Sequence, residues 1–188
     1  YKGSNFRFEL NKEETLVLKS FLRKQKTTMH SFLITSLSIL ISKISQYDDI
    51  VLGTVNSGRD RPQLNRMIGM FVKTLPLRIK LSKDNCFNTI LRAVQGGILE
   101  IDDYQNIPKQ YRRKTFFDLL VAFQNPDFSY QENISLGEAK LKPYLIDVNY
   151  NRLPLLFNFF ETNNKLIGVL SFNTERYDEE TIKLIVLK

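Results

Sequence analysis

The stretch DIVLGTVNSGRDRPQLNRMIGMFVKTLPLR, residues 49–78, decides how the rest of the chain is read. Ile50, Val51 and Leu52 form a β-branched, apolar strand that Gly53 is expected to end. The loop NSGRDRP, residues 56–62, packs turn formers together with three charges. A short helical turn follows. Ile68, Gly69, Met70, Phe71 and Val72 then lead into a second strand, residues 74–81. A polar, charged loop held between two apolar strands is where binding and catalytic residues collect. A plain surface connection looks the same, and the loop alone does not choose between them.

Working outward, NFRFEL (5–10) alternates apolar and polar with the period of a strand. Asn11 is placed to cap a helix with Glu13 and Glu14 in its first turn, where carboxylates suit the macrodipole. Leu16, Leu18, Phe21 and Leu22 line one face of it. Thr27 or Thr28 starts a second helix, carrying Phe32, Leu33, Leu37, Leu40, Ile41 and Ile44 among interleaved serines. A Ser-rich apolar helix of this kind is packed on more than one side. It ends near residues 46–49, and this helix-to-strand step points to an α/β arrangement.

Beyond the second strand, Asp84 or Asn85 is placed to cap a third helix over residues 87–102, which Gly96 and Gly97 weaken by roughly 1 kcal/mol each relative to alanine. After a polar segment, FFDLLVAF (116–123) is almost wholly apolar and reads as a strand buried on both faces. Residues 125–137 read as loop and 140–148 as irregular or weakly extended chain. LLFNFFE (155–161) and residues 166–172 are two strands, with Thr162, Asn163, Asn164 and Lys165 as their hairpin turn. Asp178 caps a closing helix with Glu179 and Glu180 in its first turn. Both ends of the chain look cut, so it reads as a fragment of something longer.

The chain has 188 residues, 43% of them hydrophobic and 25% charged, an ordinary composition for one folded domain. Its net charge of +7 would suit nucleic acid or an acidic partner surface. The cations are spread out, however, and the densest run, KQYRRK (109–114), comes with no nucleic-acid motif, so a solvated face explains it better. Cys86 is the single cysteine, which excludes an internal disulfide and fits a reducing, cytoplasmic setting. Its place near a helix start could lower its thiol pKa. No apolar run reaches the roughly 18 residues of a membrane span.

Little in the residues themselves gives a reaction. His30 is the single histidine, at the start of an apolar helix, where a capping or partly buried role fits better than acid–base work without a positioned partner. No metal-ligand cluster, Walker loop, GxGxxG or GxSxG occurs. The carboxylate pairs at 48–49, 102–103 and 179–180 sit at element ends, as caps and solvated groups.

Five segments, in order, resemble the condensation domains of non-ribosomal peptide synthetases. DIVLGTVNSGRDRPQL (49–64) looks like the family's D-I-V-x-G-x-P-x-x-G-R stretch, and IGMFVKTLPLR (68–78) like its I-G-x-F-V-N-T-x-x-x-R motif. YQNIP (104–108) resembles H-Q-D-x-P, FDLLVAFQN (117–125) the strand ending in Q-N, and LSFNTERYD (170–178) the L-x-Y-N-x-x-L-F-D segment. The resemblance implies an α/β fold, a chloramphenicol acetyltransferase-like lobe with a mixed β-sheet flanked by helices. It covers the family's C-terminal half, so residues 1–188 are expected to be the C-terminal lobe of a condensation domain, truncated at both ends. Such domains join carrier-bound aminoacyl or peptidyl thioesters through a tunnel between two lobes.

The resemblance further implies that residues 68–74, with Gly69, Phe71 and Lys73, form the tunnel floor. Arg59 matches the GR arginine, expected to bridge the lobes through an ion pair, while Arg78 is expected to be structural. The HHxxxDG motif belongs to the other lobe and nothing here matches it, so no catalytic residue is assigned and the chain alone is expected to be inactive. No cofactor or metal is expected to bind directly; substrates would arrive on the phosphopantetheine of partner carrier proteins, beside an adenylation domain and the missing N-terminal lobe. Neither nucleic acid nor membrane is expected, and self-association through the exposed lobe interface is. Three departures stand out: Lys73 for the usual Asn, Tyr104 for His, and Val55 for Pro. They leave open a condensation-like acyltransferase for a free acceptor, a non-catalytic interaction module and an epimerisation relative.

Overall fold

The computed structural model describes residues 2–59, 61–82, 84–104, 116–124, 134–137, 139–141 and 150–186. In chain order the elements are β1 (Gly3–Leu10), α1 (Lys12–Gln25), α2 (Met29–Ser45), β2 (Asp49–Asn56), a 3-10 turn (Pro62–Arg66), β3 (Lys73–Lys80), α3 (Phe87–Asp103), β4 (Leu119–Gln124), β5 (Ile134–Leu136), β6 (Ala139–Leu141), β7 (Leu155–Thr162), β8 (Lys165–Asn173) and α4 (Glu179–Val186). They divide between two compact units, one of residues 1–21 and 123–188, the other of residues 22–122.

In the first unit β8 pairs antiparallel with β1 on one side and β7 on the other. The β7–β8 register closes on Thr162 opposite Lys165, leaving Asn163 and Asn164 at φ +49° and +62°. Two central residues with positive φ make the turn whose twist matches the strands, and asparagine tolerates that region. Phe157, Leu170 and Phe172 are buried, as the alternation requires. Asn11 and Glu14 form a reciprocal capping box at the start of α1, each side chain accepting from the other's backbone N–H, at 3.0 and 2.8 Å. One turn on, fully buried Thr15 joins helix to sheet: its hydroxyl donates to the Asn11 carbonyl at 2.7 Å and accepts the Leu166 N–H at 3.1 Å. Lys19 also reaches across to Glu161. Asp178 caps α4 by accepting the Thr181 N–H at 2.6 Å. The loop reading of residues 125–137 needs correction at its end, where Ile134–Leu136 pairs with Ala139–Leu141 as a short hairpin. Residues 125–133 and 142–149 lie outside the described residues.

In the second unit β2 pairs antiparallel with β3 and parallel with β4, a mixed sheet. In β3, Leu75, Leu77 and Ile79 are buried while Pro76, Arg78 and Lys80 alternate outward. Pro76 is tolerated because β3 ends the sheet and needs no second donor there. α2 and α3 pack on this sheet and on each other, with Phe32 and Phe87 edge to face at 5.7 Å. Thr28 caps α2 by accepting the Ser31 N–H. The buried hydroxyls of Thr35 and Ser38 donate to carbonyls one turn back, both at 2.7 Å, which is how a Ser-rich helix is packed on several sides without unpaired donors.

Three expectations change here. β2 does not stop at Gly53 but runs on to Asn56. Gly53 is needed because the Phe117 ring lies where its side chain would be, 2.4 Å from an added Cβ. The apolar run at 116–123 becomes a strand only from Leu119, with Phe116 exposed ahead of it. Leu119 and Val121 are buried while Leu120 and Ala122 are half-buried, so one face closes more fully than the other. The start of α3 is Cys86, whose carbonyl accepts the first helical bond, from Ile90 at 3.2 Å, in place of Asp84 or Asn85.

Candidate functional site

Residues 57–72 leave the ends of β2 and β3, where Asn56 faces Lys73 across the ladder. Their shape is set close to the strands. Gly58 has φ +65°, and an added Cβ would sit 1.9 Å from the Phe71 carbonyl oxygen, so the two arms of the loop touch backbone to backbone. Asn56 Oδ1 accepts the Gly58 N–H at 2.6 Å, which turns the chain out of β2. Arg59 then fastens the loop from within. Its Nη1 donates to the carbonyl of Leu64 and to that of Met67, the latter at 3.1 Å, and its guanidinium lies 4.6 Å from the centre of the Phe71 ring. A planar cation that both donates to carbonyls and stacks is a role lysine does not fill.

The loop borders an open cleft of about 340 Å³ lined by Gly58, Arg61, Leu64, Met70, Phe71, Val72 and Lys73. The apolar side chains of the loop are strongly exposed: Met67, Ile68, Met70 and Val72 all face solvent, Ile68 and Met70 almost completely, Met70 and Val72 at the edge of the cleft. Exposed apolar residues that cluster in this way are a feature of interaction surfaces.

Of the residues singled out from the sequence, Arg59, Gly69, Phe71 and Lys73 are thus held in one loop system, with Phe71 and Lys73 on the cleft wall and Gly69 against the Phe71 ring, 3.1 Å from an added Cβ. Arg78 stands apart on the outer face of β3. Its Nε and Nη2 fork onto Asp49 at 2.9 and 2.6 Å, and these bonds hold the Asp49 carboxyl below its ordinary pKa. His30 Nε2 lies 2.9 Å from Thr54 Oγ1, tying α2 to β2. Cys86 is exposed, and the Thr89 hydroxyl at 3.2 Å, followed by the Thr89 backbone N–H, lowers its thiol pKa. Arg61 and Leu64 were not singled out from the sequence, and Met70 and Val72 only as part of the expected floor segment 68–74. The one hint to them is their place beside residues that were. Among the described residues no group of His, Cys, Asp and Glu could hold a metal ion. No single helix there is long and apolar enough to cross a membrane. The basic run at 109–114 and residues 105–108 lie outside the described residues.

The mixed sheet and its helices belong to the chloramphenicol acetyltransferase-like class of α/β folds, shared with solved condensation domains. A four-domain nonribosomal peptide synthetase bound to AMP and glycine matches 98% of this chain with TM-score 0.86 and 17% identity, over 16% of its own length. The X-domain from teicoplanin biosynthesis matches 98% with TM-score 0.82 and 19% identity, over 44% of its length. The chain itself belongs to the condensation-domain family, whose sequence profile matches residues 1–186. Among curated relatives, surfactin synthase subunit 2 of Bacillus subtilis (strain 168) is 27% identical over 192 residues, 96% of this chain and 5% of that protein. The chain therefore spans about one twentieth of the length of that relative.

Proposed function

We propose that this chain is the C-terminal lobe of a condensation domain in a nonribosomal peptide synthetase, and that the complete domain forms an amide between two carrier-bound substrates. In that reaction the acceptor amine attacks the donor thioester carbonyl. A C–N bond forms, the C–S bond breaks, the amine loses a proton and the phosphopantetheine thiol leaves carrying one. The chain's own share is to position and enclose. Arg59 and Gly58 fix the loop, Gly69 and Phe71 shape the floor, and Lys73 places a cation beside it. The proton-handling histidine lies elsewhere, in HHxxxDG of the partner lobe; Arg59, whose Nη1 is spent on its own loop, would reach that lobe's aspartate only through its remaining N–H groups. Carrier proteins and an adenylation domain are its neighbours in the synthetase, the setting is cytoplasmic, and the exposed apolar loop residues let the isolated lobe self-associate.

One observation carries this reading. A condensation-family match runs over residues 1–186 of a chain whose single histidine is already engaged with Thr54. The order of the five motifs supports the C-terminal half. The test is to read the coding sequence ahead of Tyr1. HHxxxDG is expected within one lobe's length, roughly 100–200 residues. Its absence would overturn the amide-forming role.

A further inference from the structure

We propose that α3 is built in two parts, and that its last turns, residues 98–103, open and close as one unit about Gly96 and Gly97 while residues 87–95 stay fixed on the sheet. This conformational device belongs to the helix itself and stands whether or not the condensation reading does.

The two parts are held very differently. In the first, Ile90, Leu91 and Val94 are buried, and Phe87 packs edge to face on Phe32 at 5.7 Å. Its last tether is Gln95, whose Nε2 donates to the Lys26 carbonyl at 3.4 Å. Beyond the glycines no described side chain of the helix is fully buried. Ile98 and Ile101 are half-buried, while Leu99, Glu100 and Asp103 are exposed, Leu99 at 65%. Among the described residues neither Glu100 nor Asp103 has an ion pair. The energetics of the helix point the same way. Glycine is the poorest helix former after proline, and two in succession sit at the joint. Packing does not require the first of them: nothing lies within 4 Å of a Cβ added at Gly96, whereas one at Gly97 would come 3.1 Å from Leu77 Cδ1. The sequence then closes the helix with Glu100, Asp102 and Asp103 and no basic residue in the last turn. A helix C-terminus is the negative end of the macrodipole, so these carboxylates oppose it; α1, by contrast, ends on Arg23 and Lys24. Sparse burial, a double glycine and an end of the wrong sign make residues 98–103 a low-stability segment, the kind from which moving elements are drawn.

The experiment is native-state hydrogen exchange on the 188-residue chain, followed amide by amide by NMR with and without low concentrations of urea. The amides of residues 98–103 are expected to share one level of protection, on the order of a hundredfold below that of residues 91–95, and to respond only weakly to urea because their opening exposes little surface. Gly96→Ala should raise their protection about fivefold. Gly97→Ala should gain less, since Leu77 has to shift to admit the methyl group. Glu100→Lys should raise it about two- to fivefold, and less at high salt. Equal protection and equal urea response in both parts would overturn the proposal, because α3 would then open only together with its surroundings. A smooth decline from residue 92 to residue 103 with no step at the glycines would overturn it in favour of plain fraying. Unchanged protection in Gly96→Ala would overturn the assignment of the glycines as the joint.

Discussion

Replacing Gly58 by alanine asks two things of the loop at once. At φ +65° an L-residue with a Cβ is disfavoured by about 1–2 kcal/mol. The new Cβ would also sit 1.9 Å from the Phe71 carbonyl oxygen, where real Cβ contacts do not come under 3.0 Å, and that neighbour is backbone. Relieving such an overlap costs about 1–3 kcal/mol more. What opposes it is modest: two carbonyl bonds from a partly exposed guanidinium and one stacked ring, worth about 1–3 kcal/mol together. The loop should therefore give way before the β2–β3 ladder does. Hydrogen exchange reads this directly. The Leu64 and Met67 N–H groups, bonded to the Arg61 and Leu64 carbonyls, should lose protection, while the amides paired within β2 and β3 keep theirs. Gly58→Asn separates the causes, because asparagine accepts positive φ but still carries a Cβ. It should fail nearly as badly as alanine. Wild-type exchange in Gly58→Asn would refute the claim that close approach to Phe71 fixes the loop.

Three further outcomes follow from the same geometry. Thr15→Val keeps the buried shape but strands the Leu166 N–H, and should cost about 1–3 kcal/mol, or about 2–4 °C in Tm per kcal/mol; Thr15→Ser, which keeps the hydroxyl, should lose less. The Asp49 carboxyl is held below its ordinary pKa by Arg78, so its stabilising effect is present above the unfolded value and fades as pH falls through the folded one; the stability gap between wild type and Asp49→Asn should narrow on acidification from pH 7, and a gap that widened would contradict the pairing. Thr89→Val should raise the Cys86 thiol pKa and slow its alkylation at neutral pH, with an unchanged rate telling against the Thr89 hydrogen bond.

What the sequence revealed was what neighbours in the chain decide. The Asn11 cap, the helix start at Thr27 or Thr28, the alternation of residues 5–10 and the Asn163–Asn164 turn all depend on residues within a few positions of one another. What it hid depends on partners far along the chain. Gly53 looks like a strand end until the Phe117 ring is laid over it. Cys86 caps α3 although aspartate and asparagine precede it, because helix entry is fixed by how Phe87, Ile90 and Leu91 reach the core and not by capping preference alone. At the candidate site the motif singled out Arg59, Gly69, Phe71 and Lys73, which the structure holds in one loop system. That Arg59 spends its donors on Leu64 and Met67, and that Arg61 and Met70 join the cleft, depends on a loop closure that no local pattern encodes.

We propose that this chain shapes a condensation site whose reactive histidine is supplied from outside it. The most direct measurement is an amide-formation assay with donor and acceptor carrier proteins loaded with aminoacyl thioesters, run with the 188-residue chain as the sole added catalyst. No dipeptidyl product above the uncatalysed background is expected. Turnover by the chain alone would contradict the claim and place the proton-handling group among the residues described here.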